Sequence, residues 1–285
     1  MRFDIMTLFP ALVETVLSES VIGRACRAGY ITVQTHAIRD YSEDRRHRVD
    51  DTPYGGGKGM LMAPPPIWNC YRAILEGTGD ASTRRHVIYL SPAGRVLTQK
   101  RASELARDFD QLILLCGHYE GVDYRVIEEI VDEEISIGDY VLTGGEIPAC
   151  ILTDCVARLI PGVLADEECF EKESIASGLL EYPQYTKPAS WRGREVPEIL
   201  RSGDHAKVDA WRLEQAMART ARERPELLEA YLAAHPPAVK KSRRRRAPTG
   251  AYASEVPVSS GVPTSPTAST QSDIPAQPLP EPDKM

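Results

Sequence analysis

Two glycine-punctuated segments are the parts of this sequence best suited to ligand chemistry. The string GHYEG at residues 117–121 follows an apolar run at 112–116, and the string GDYVLTGG at 138–145 follows a second run at 134–137. Both runs have the length and composition of buried strands. Glycine-rich loops after parallel strands let backbone groups approach a ligand closely, which predicts a crevice at the carboxyl edge of a sheet. Two tight turns that serve only as connections fit the spacing equally well.

A third segment, residues 39–62, is polar, charged and too long for an idle connection. It contains GGGKG at 55–59, which is similar to a phosphate-binding loop but lacks the Ser or Thr that should follow Lys58. A nucleoside-triphosphate site is therefore disfavoured. Contact with an RNA backbone is favoured instead by three nearby basic side chains, Arg45, Arg46 and Arg48. A solvated surface loop is the open alternative.

The elements that must position these segments alternate between strand and helix. Strands are predicted at residues 2–9, 31–38, 86–90, 112–116 and 134–137, and SPAG at residues 91–94 gives a third strand end that opens into a turn. Helices are predicted to begin at Pro10, Pro65, Thr98, Asp123 and Pro148, the last one continuing to Ile160. This order predicts an α/β fold whose parallel sheet carries helices on both faces.

Composition narrows the class of protein. The chain has 285 residues, of which 42% are hydrophobic, and no apolar run reaches membrane-spanning length. The amino terminus is too short and too acidic for a signal peptide, and six cysteines without a CxxC pair are typical of small buried side chains in a reducing compartment. These features predict a cytoplasmic protein without a cysteine-based metal site.

The last third of the chain changes character twice. An acidic linker is predicted at residues 165–176, and a small helical domain at 177–237, with one helix at 205–222 after the capping residue Asp204 and another at 225–234. Residues 238–285 hold a basic run followed by eight prolines in 39 residues, a composition that predicts a disordered tail. Because the net charge is −7 although this tail is basic, the acidic body argues against indiscriminate nucleic-acid binding, and RNA would have to meet local basic patches.

Seven strings resemble a single family, the bacterial tRNA (guanine-N1)-methyltransferases of the SPOUT class. They occur in the family's order and cover nearly everything from Met1 to about Leu232. Any one of them would be weakly informative, whereas seven in sequence are highly specific. The strings are VDDTPYGGGKGMLM, YLSPAGRVL, LLCGHYEGVDYRVIEE, EISIGDYVLTGGE, VARLIPGVL, ESIASGLLEYPQYTKP and LRSGDHAKVDAWRLEQAMART.

The resemblance implies a SPOUT-type parallel sheet with a carboxyl-terminal trefoil knot in residues 1–164, one of the rare exceptions to unknotted chains. The knot would hold S-adenosylmethionine, and the absence of a GxGxxG string after the first strand agrees with this and argues against a Rossmann-type methyltransferase. The implied cofactor-binding residues are Tyr89, Leu90, Ser91, Pro92, Gly117, Glu120, Ser136, Ile137, Gly138, Asp139, Tyr140, Val141, Leu142, Gly144, Gly145 and Pro148.

The chemistry of methylating guanine N1 sets its own requirements. N1 carries a hydrogen at neutral pH, so a carboxylate within hydrogen-bond reach is a natural base. Negative charge then grows on O6, where an arginine would stabilise it. The resemblance assigns the base to Glu173, where the family has an aspartate, and the arginine to Arg158 in the string VARLIPG. The longer arm of Glu173 keeps the carboxylate but changes its reach.

The resemblance also implies the partners. The substrate would be the anticodon stem-loop of a tRNA with guanine at position 37, the enzyme a homodimer, and Mg2+ a possible further cofactor. Departures from the family at His118, Gln184 and Lys187 and an unusual Glu181 affect single contacts, since lysine binds phosphate without the bidentate fork of arginine. The implied tRNA-binding residues are Asp50, Tyr54, Gly55, Gly56, Gly57, Lys187 and His205.

Two other functions compete with this hypothesis. A SPOUT enzyme that methylates a ribose 2′-hydroxyl needs no base for N1, so its rate would not depend on Glu173. A non-catalytic RNA-binding protein would use the glycine loops only as connections and would not bind S-adenosylmethionine.

Overall fold

A computed structural model of the chain describes residues 1–79, 82–164 and 174–236. Its centre is a five-stranded sheet in the order β2-β1-β6-β5-β7, in which all neighbouring strands are parallel. In chain order the strands of the first 164 residues are β1 (Arg2–Thr7), β2 (Thr32–Ala37), β3 (Asp50–Asp51), β4 (Leu61–Met62), β5 (Arg85–Val96), β6 (Gln111–Cys116) and β7 (Glu133–Ser136). The predicted α/β class with a parallel sheet is confirmed.

Helices lie on both faces of this sheet. They are α1 (Pro10–Leu17), α2 (Ser20–Ala28), α3 (Pro64–Thr78), α4 (Gln99–Asp108), α5 (Tyr124–Ile130) and α6 (Glu146–Ala157). All six residues of β6 are buried, and its side chains alternate between two core clusters. Leu112 and Leu114 pack in the cluster that includes residues of α1, α2, α4 and α6, while Ile113 and Leu115 pack with residues of α3 and α5. Burial on both faces is why β6 reads as an uninterrupted apolar run.

Strand β5 corrects the prediction that a strand ends at Leu90. It continues to Val96, with a register shift because Leu90 and Arg95 both pair with Ile135 of β7. A Cβ at Gly94 would lie 2.4–2.5 Å from the backbone of Glu134, so this position accepts only glycine. The residues between Leu90 and Arg95 are therefore set outside the regular ladder, at the edge where the neighbouring strands end.

Other boundaries differ in ways that have physical reasons. The helix predicted to run from Pro148 to Ile160 is α6, which begins two residues earlier and ends at Ala157. Its early start is permitted because Gly145 precedes it as the N-cap. The sequence reading missed α2, which begins after Glu19 without a side-chain cap, and the short antiparallel pair β3–β4. The predicted cap of α5 is confirmed, since Asp123 accepts the backbone N–H of Arg125.

Residues 174–236 form short elements and two helices. These are the hairpin of β8 (Ser190–Trp191) and β9 (Arg194–Glu195), a 3-10 turn at Glu198–Arg201, and the helices α7 (His205–Glu223) and α8 (Pro225–Ala234). Asp204 caps α7 as predicted, by accepting the N–H of Lys207 at 3.2 Å. The buried hydroxyl of Thr220 accepts the backbone N–H of Leu180 at 2.8 Å and so ties the entering chain to α7.

Parts of the predicted domain layout lie outside the described residues. These are residues 165–173 of the linker, Pro237, and the whole tail at 238–285. Within the described ranges, none of the helices is long and apolar enough to cross a membrane. The cysteines described, Cys26, Cys70, Cys116, Cys150 and Cys155, are free thiols, and three of them are buried.

Candidate functional site

The carboxyl ends of β5, β6 and β7 surround one cavity of about 300 Å³. Three segments line it, namely residues 89–92 from β5, residues 117–121 after β6, and most of residues 135–148 from β7 to α6. Parallel strands end at the same edge of the sheet, so loops far apart in sequence converge there. The volume lies at the lower end of the range for small-molecule sites.

Glycines allow two of these segments to touch through their backbones. The N–H of Gly145 donates to the carbonyl of Gly117 at 2.8 Å, and His118 forms an isolated bridge with Gly144. A Cβ at Gly145 would lie 2.7 Å from the Cα of Cys116, which is closer than real Cβ atoms come. These glycines are therefore needed for the close approach of the two loops. The alternative that they serve only as connections is disfavoured by this contact.

The loop after β7 is held by its own hydrogen bonds. The hydroxyl of buried Ser136 donates to the carbonyl of Gly138 at 3.0 Å and lies 3.2 Å from the N–H of the same glycine. Gly138 has a φ of +148°, which favours glycine. The hydroxyl of Tyr140 donates to the carbonyl of Ile137 at 3.2 Å, while the side chains of Val141 and Leu142 are exposed at the cavity. The loop thus offers fixed backbone groups and an apolar surface.

Tyr89 provides a hydroxyl in the same cavity. Burial raises the pKa of this phenol, and the Glu134 carboxylate adds to the rise, so the hydroxyl keeps its proton at neutral pH. A Cβ at Gly117 would meet the ring and hydroxyl of Tyr89 at 2.9 Å. The missing side chain at Gly117 is therefore what makes room for the phenol.

The charges at the cavity favour a particular class of ligand. Among the described residues, its lining includes the carboxylate of Glu120 but no lysine or arginine. Glu120 also reaches the GGGKG segment, because its backbone N–H donates to Met60 at 3.0 Å and its side chain fills the place of a Cβ at Gly59. Phosphates bind best to cationic side chains. This lining, where the N-terminus of α6 favours an anion but the carboxylate of Glu120 opposes one, therefore suits a neutral or cationic small molecule better than a nucleotide rich in phosphate. S-adenosylmethionine, which carries a positively charged sulfur, fits that description.

Of the cofactor residues expected from the sequence, all except Asp139 line the cavity. The structure adds His118, Tyr119, Gly121, Ile135 and Thr143 to the lining. Three of these, His118, Tyr119 and Gly121, belong to the string GHYEG, so their position beside predicted residues was a signal that could have found them. The ring of His118 lies 5.1 Å from that of Phe9, which connects the cavity to the end of β1, and no feature of the sequence indicated this contact.

The structure describes only one of the two expected catalytic residues, Arg158. Glu173 lies outside the described residues. Arg158 is the half-buried C-cap of α6, and its backbone N–H donates to Asp154 at 3.2 Å. It is not among the residues that line the cavity.

The expected tRNA-binding residues fall into two groups. Asp50 pairs with Met62 across β3 and β4, and the adjoining turn carries Tyr54, whose side chain is 98% exposed. The three glycines that follow Tyr54 all have positive φ, at +85°, +81° and +134°. Lys187 and His205 are exposed in the carboxyl-terminal region, where His205 is the first residue of α7.

The described ranges offer no set of side chains suited to a metal centre. No group of three or more His, Cys, Asp or Glu side chains there could hold a metal ion.

A parallel sheet whose strand-end loops enclose one cavity defines an α/β domain of the kind suited to a small organic ligand. Comparison with known proteins is more specific. A family described as tRNA (Guanine-1)-methyltransferase TrmD matches residues 1–230. The chain belongs to this family.

Relatives named "tRNA (guanine-N(1)-)-methyltransferase" are similar over most of the chain. The protein of Ruminiclostridium cellulolyticum is 56% identical over 227 residues, which are 80% of this chain and 96% of that protein. The protein of Clostridioides difficile is 50% identical over 227 residues, 80% of this chain and 97% of that protein. That of Geotalea uraniireducens is 50% identical over 235 residues, 82% of this chain and 93% of that protein.

Proposed function

We propose that this protein is a tRNA methyltransferase that transfers a methyl group from S-adenosylmethionine to N1 of guanine 37, next to the anticodon. The observation that carries the proposal is the glycine-lined cavity at the carboxyl edge of the sheet, in a chain that belongs to the tRNA (guanine-1)-methyltransferase family. Its lining residues include all but one of those that the sequence indicated for the methyl donor.

The residues of the cavity would hold the donor mainly through the backbone. Fixed amides and carbonyls around Gly117, Gly138 and Gly145 suit recognition of an adenine edge and ribose hydroxyls, and Tyr89 adds a protonated hydroxyl. When bound, S-adenosylmethionine supplies a methyl group that its positive sulfur makes electrophilic. The exposed apolar side chains of Val141 and Leu142 would cover the bound molecule.

The protein residues that act on the guanine come from beyond this cavity. Glu173 would accept the proton of N1 as the bond from N1 to the methyl carbon forms, so that the electron pair left on N1 makes the attack. Arg158 would stabilise the negative charge that grows on O6. The bond between the methyl carbon and sulfur breaks with its electron pair returning to sulfur, and the products are 1-methylguanine and a neutral thioether.

A homodimer with a trefoil-knotted SPOUT domain in each subunit belongs to the same proposal. Exposed apolar side chains support the dimer, because α1 packs against α6, which borders the cavity, and both helices keep such side chains exposed. These are Leu12 and Val16 of α1 and Ile147 and Ile151 of α6. An exposed apolar patch of this kind is typical of a protein interface. The family resemblance implies that the cavity and the linker carboxylate that act together come from opposite subunits.

The tRNA would contact two regions. Tyr54, at the tip of its glycine turn, offers a stacking surface for a base, and Asp50 lies at the foot of the same loop. Lys187 and His205, with the basic side chains of α7, would contact the anticodon stem-loop through its phosphates. We also propose the domain layout read from the sequence, with a linker at 165–176 and a helical RNA-binding domain at 177–237, and a cytoplasmic location. Mg2+ has no site among the described residues and is left as a possible ligand of the RNA.

A methylation assay on transcripts tests the proposal. The purified protein is incubated with S-adenosylmethionine and a tRNA transcript that carries guanine at position 37, and its nucleosides are analysed. We expect 1-methylguanosine, and none from a matched transcript with adenine at that position. A 2′-O-methylated nucleoside would favour the ribose reaction, and no methylated nucleoside together with no binding of S-adenosylmethionine would favour an RNA-binding protein.

A further inference from the structure

A buried carboxylate lies directly behind the wall of the cavity. Glu146 is the first residue of α6 and is only 4% exposed. It directly follows Gly144 and Gly145, which line the cavity. Carboxylates are seldom buried unless something stabilises them or uses them. Nothing in the proposed transfer of the methyl group has so far used Glu146.

The hydrogen bonds of Glu146 hold its carboxylate in one position. The hydroxyl of buried Thr7, the last residue of β1, donates to Oε1 of Glu146 at 2.9 Å. The same hydroxyl accepts the backbone N–H of Phe9 at 2.9 Å, so its single hydrogen is committed to the carboxylate. The position at the amino terminus of α6 also favours a negative charge, because the helix dipole is positive there. This donor is neutral, so the charge of Glu146 is solvated but not cancelled by it.

The second oxygen of Glu146 lies beside Gly144, a residue that lines the cavity. A Cβ placed on Gly144 would lie 2.4 Å from Oε2 of Glu146 and 2.7 Å from Nδ1 of His118. Oε2 therefore lies against the Cα of a residue that lines the cavity, with no side chain between them. Nδ1 of His118 is buried in the same corner and has no hydrogen-bond partner in the part of the chain that the structure describes.

The negative field of this carboxylate extends to its neighbours. Burial raises the pKa of the Cys150 thiol to about 11, with the Glu146 carboxylate as the second cause. The pKa of Cys116, whose Cα touches the Gly145 wall of the cavity, is raised by burial first and by Glu146 second. Charges in such a dry environment act over longer distances than exposed ones, which water and salt screen.

We propose that Glu146 is a specificity-determining residue that favours the positively charged methyl donor over the neutral thioether product. The attraction between the carboxylate and the sulfonium is present before the transfer and is lost when the methyl group leaves with the positive charge. Glu146 thereby favours loading of the donor and release of the product. The inference rests on the proposed function, because it takes S-adenosylmethionine as the ligand of this cavity.

A comparison of two ligands separates this role from a structural one. Calorimetry on the full-length protein gives the dissociation constants of S-adenosylmethionine and S-adenosylhomocysteine, which differ by one methyl group and one charge. We expect Glu146→Gln to weaken binding of the charged donor about tenfold, the size expected for a unit charge in a partly buried site, and to change binding of the neutral product less than twofold. Glu146→Asp, which keeps the charge, should retain most of the discrimination.

Thr7→Val is the matched control. It removes the hydrogen bond to Glu146 and keeps the charge, so both ligands should lose affinity by the same factor. If Glu146→Gln does not fold, the double variant Thr7→Val/Glu146→Met replaces both partners by apolar groups, a change that proteins tolerate better than removal of one partner. It should show the same selective loss.

The outcomes are distinguishable. Equal losses for both ligands in the Glu146 variants, or no change for either, would overturn the inference while leaving the proposed function intact. Failure of the wild-type protein to bind S-adenosylmethionine would instead overturn the proposed function.

Discussion

The two regions of the described chain differ in how much of their structure is buried and fixed. They are residues 1–164 and residues 174–236. In the first region a sheet buried on both faces fixes three loops, and glycines let their backbones meet at 2.8 Å. In the second region, the buried side chains are few and small, such as Leu179, Val208, Ala216 and Thr220, and the polar side chains of its helices are mostly exposed. A small cofactor requires fixed geometry, whereas an RNA backbone requires charge and reach. This difference predicts which substitutions should weaken the binding of S-adenosylmethionine and which should weaken the binding of tRNA.

The catalytic pair gives the strongest test of that division. We expect Glu173→Ala and Arg158→Ala each to lower turnover by about 10²- to 10⁴-fold, because each removes a group that we propose to act on the guanine in the transition state. The dissociation constant of S-adenosylmethionine should stay within about twofold of the wild-type value, because the roles proposed for Glu173 and Arg158 are exerted on the guanine and not on the donor. Single-turnover assays and calorimetry measure the two quantities separately.

Glu171→Gln is the matched control for Glu173, since it removes a neighbouring acid of the same linker and should leave turnover almost unchanged. Equal losses of turnover and donor affinity in the Glu173 and Arg158 variants would contradict the roles assigned to them.

The close approach of the two cavity loops through Gly145 leads to a prediction about both stability and donor affinity. Gly145→Ala places a methyl group 2.7 Å from the Cα of Cys116, so the two cavity loops must separate. We expect a loss of about 1–3 kcal/mol in the free energy of unfolding, as for other overpacked sites, and a clear loss of affinity for S-adenosylmethionine. Chemical denaturation and calorimetry measure the two effects.

Gly77 provides the control because it lies inside α3 and a Cβ there meets nothing within 4 Å. Gly77→Ala should raise stability by about 0.5–1 kcal/mol, because alanine loses less backbone entropy in a helix, and should leave donor affinity unchanged. If both variants behaved alike, the glycines of the cavity would not be needed for contact.

Substitutions in the exposed loop that carries Tyr54 should have a smaller effect, and that effect should be on the tRNA and not on S-adenosylmethionine. We expect Tyr54→Ala to raise the KM for tRNA about tenfold, since stacking on an aromatic ring is worth about 1–3 kcal/mol per base. Because the side chain is 98% exposed, thermal stability and donor affinity should not change. Tyr54→Phe keeps the ring and should behave like the wild type. A loss of donor affinity in Tyr54→Ala would place this loop in the cofactor site instead.

Sequence reasoning predicted the sheet well because its strands are short apolar runs between strong turn signals. It placed β6 within one residue and recognised the caps Asp123 and Asp204, whose side chains accept backbone N–H groups as expected. It missed α2 because Glu19 gives no side-chain cap, and it ended β5 too early because the continuation beyond Gly94 depends on contact with β7. Such partners are distant in sequence and leave no local pattern.

The candidate site divides in the same way. The residues expected to bind the cofactor come from glycine strings through which the family resemblance runs, and all except Asp139 line one cavity. Glu146 could not be singled out, because its burial and its bond to Thr7 join residues 139 positions apart. Before the fold is known, an acid at the start of a helix is expected only to interact with the helix dipole.

The carboxyl-terminal tail should have the smallest effect of all. Removing residues 240–285 deletes a basic run and a segment rich in proline, serine and threonine, which has almost nothing apolar to bury. We therefore expect the melting temperature to change by less than about 2 °C, and the KM for tRNA to rise only modestly at low salt, where the lost phosphate attraction matters most.

A chain that ends at Arg224 is the control. It also loses α8, including Tyr231, whose ring lies against the turn at Gly178, and should melt at a clearly lower temperature. A large loss of stability from the shorter deletion would mean that the folded body extends past Pro237.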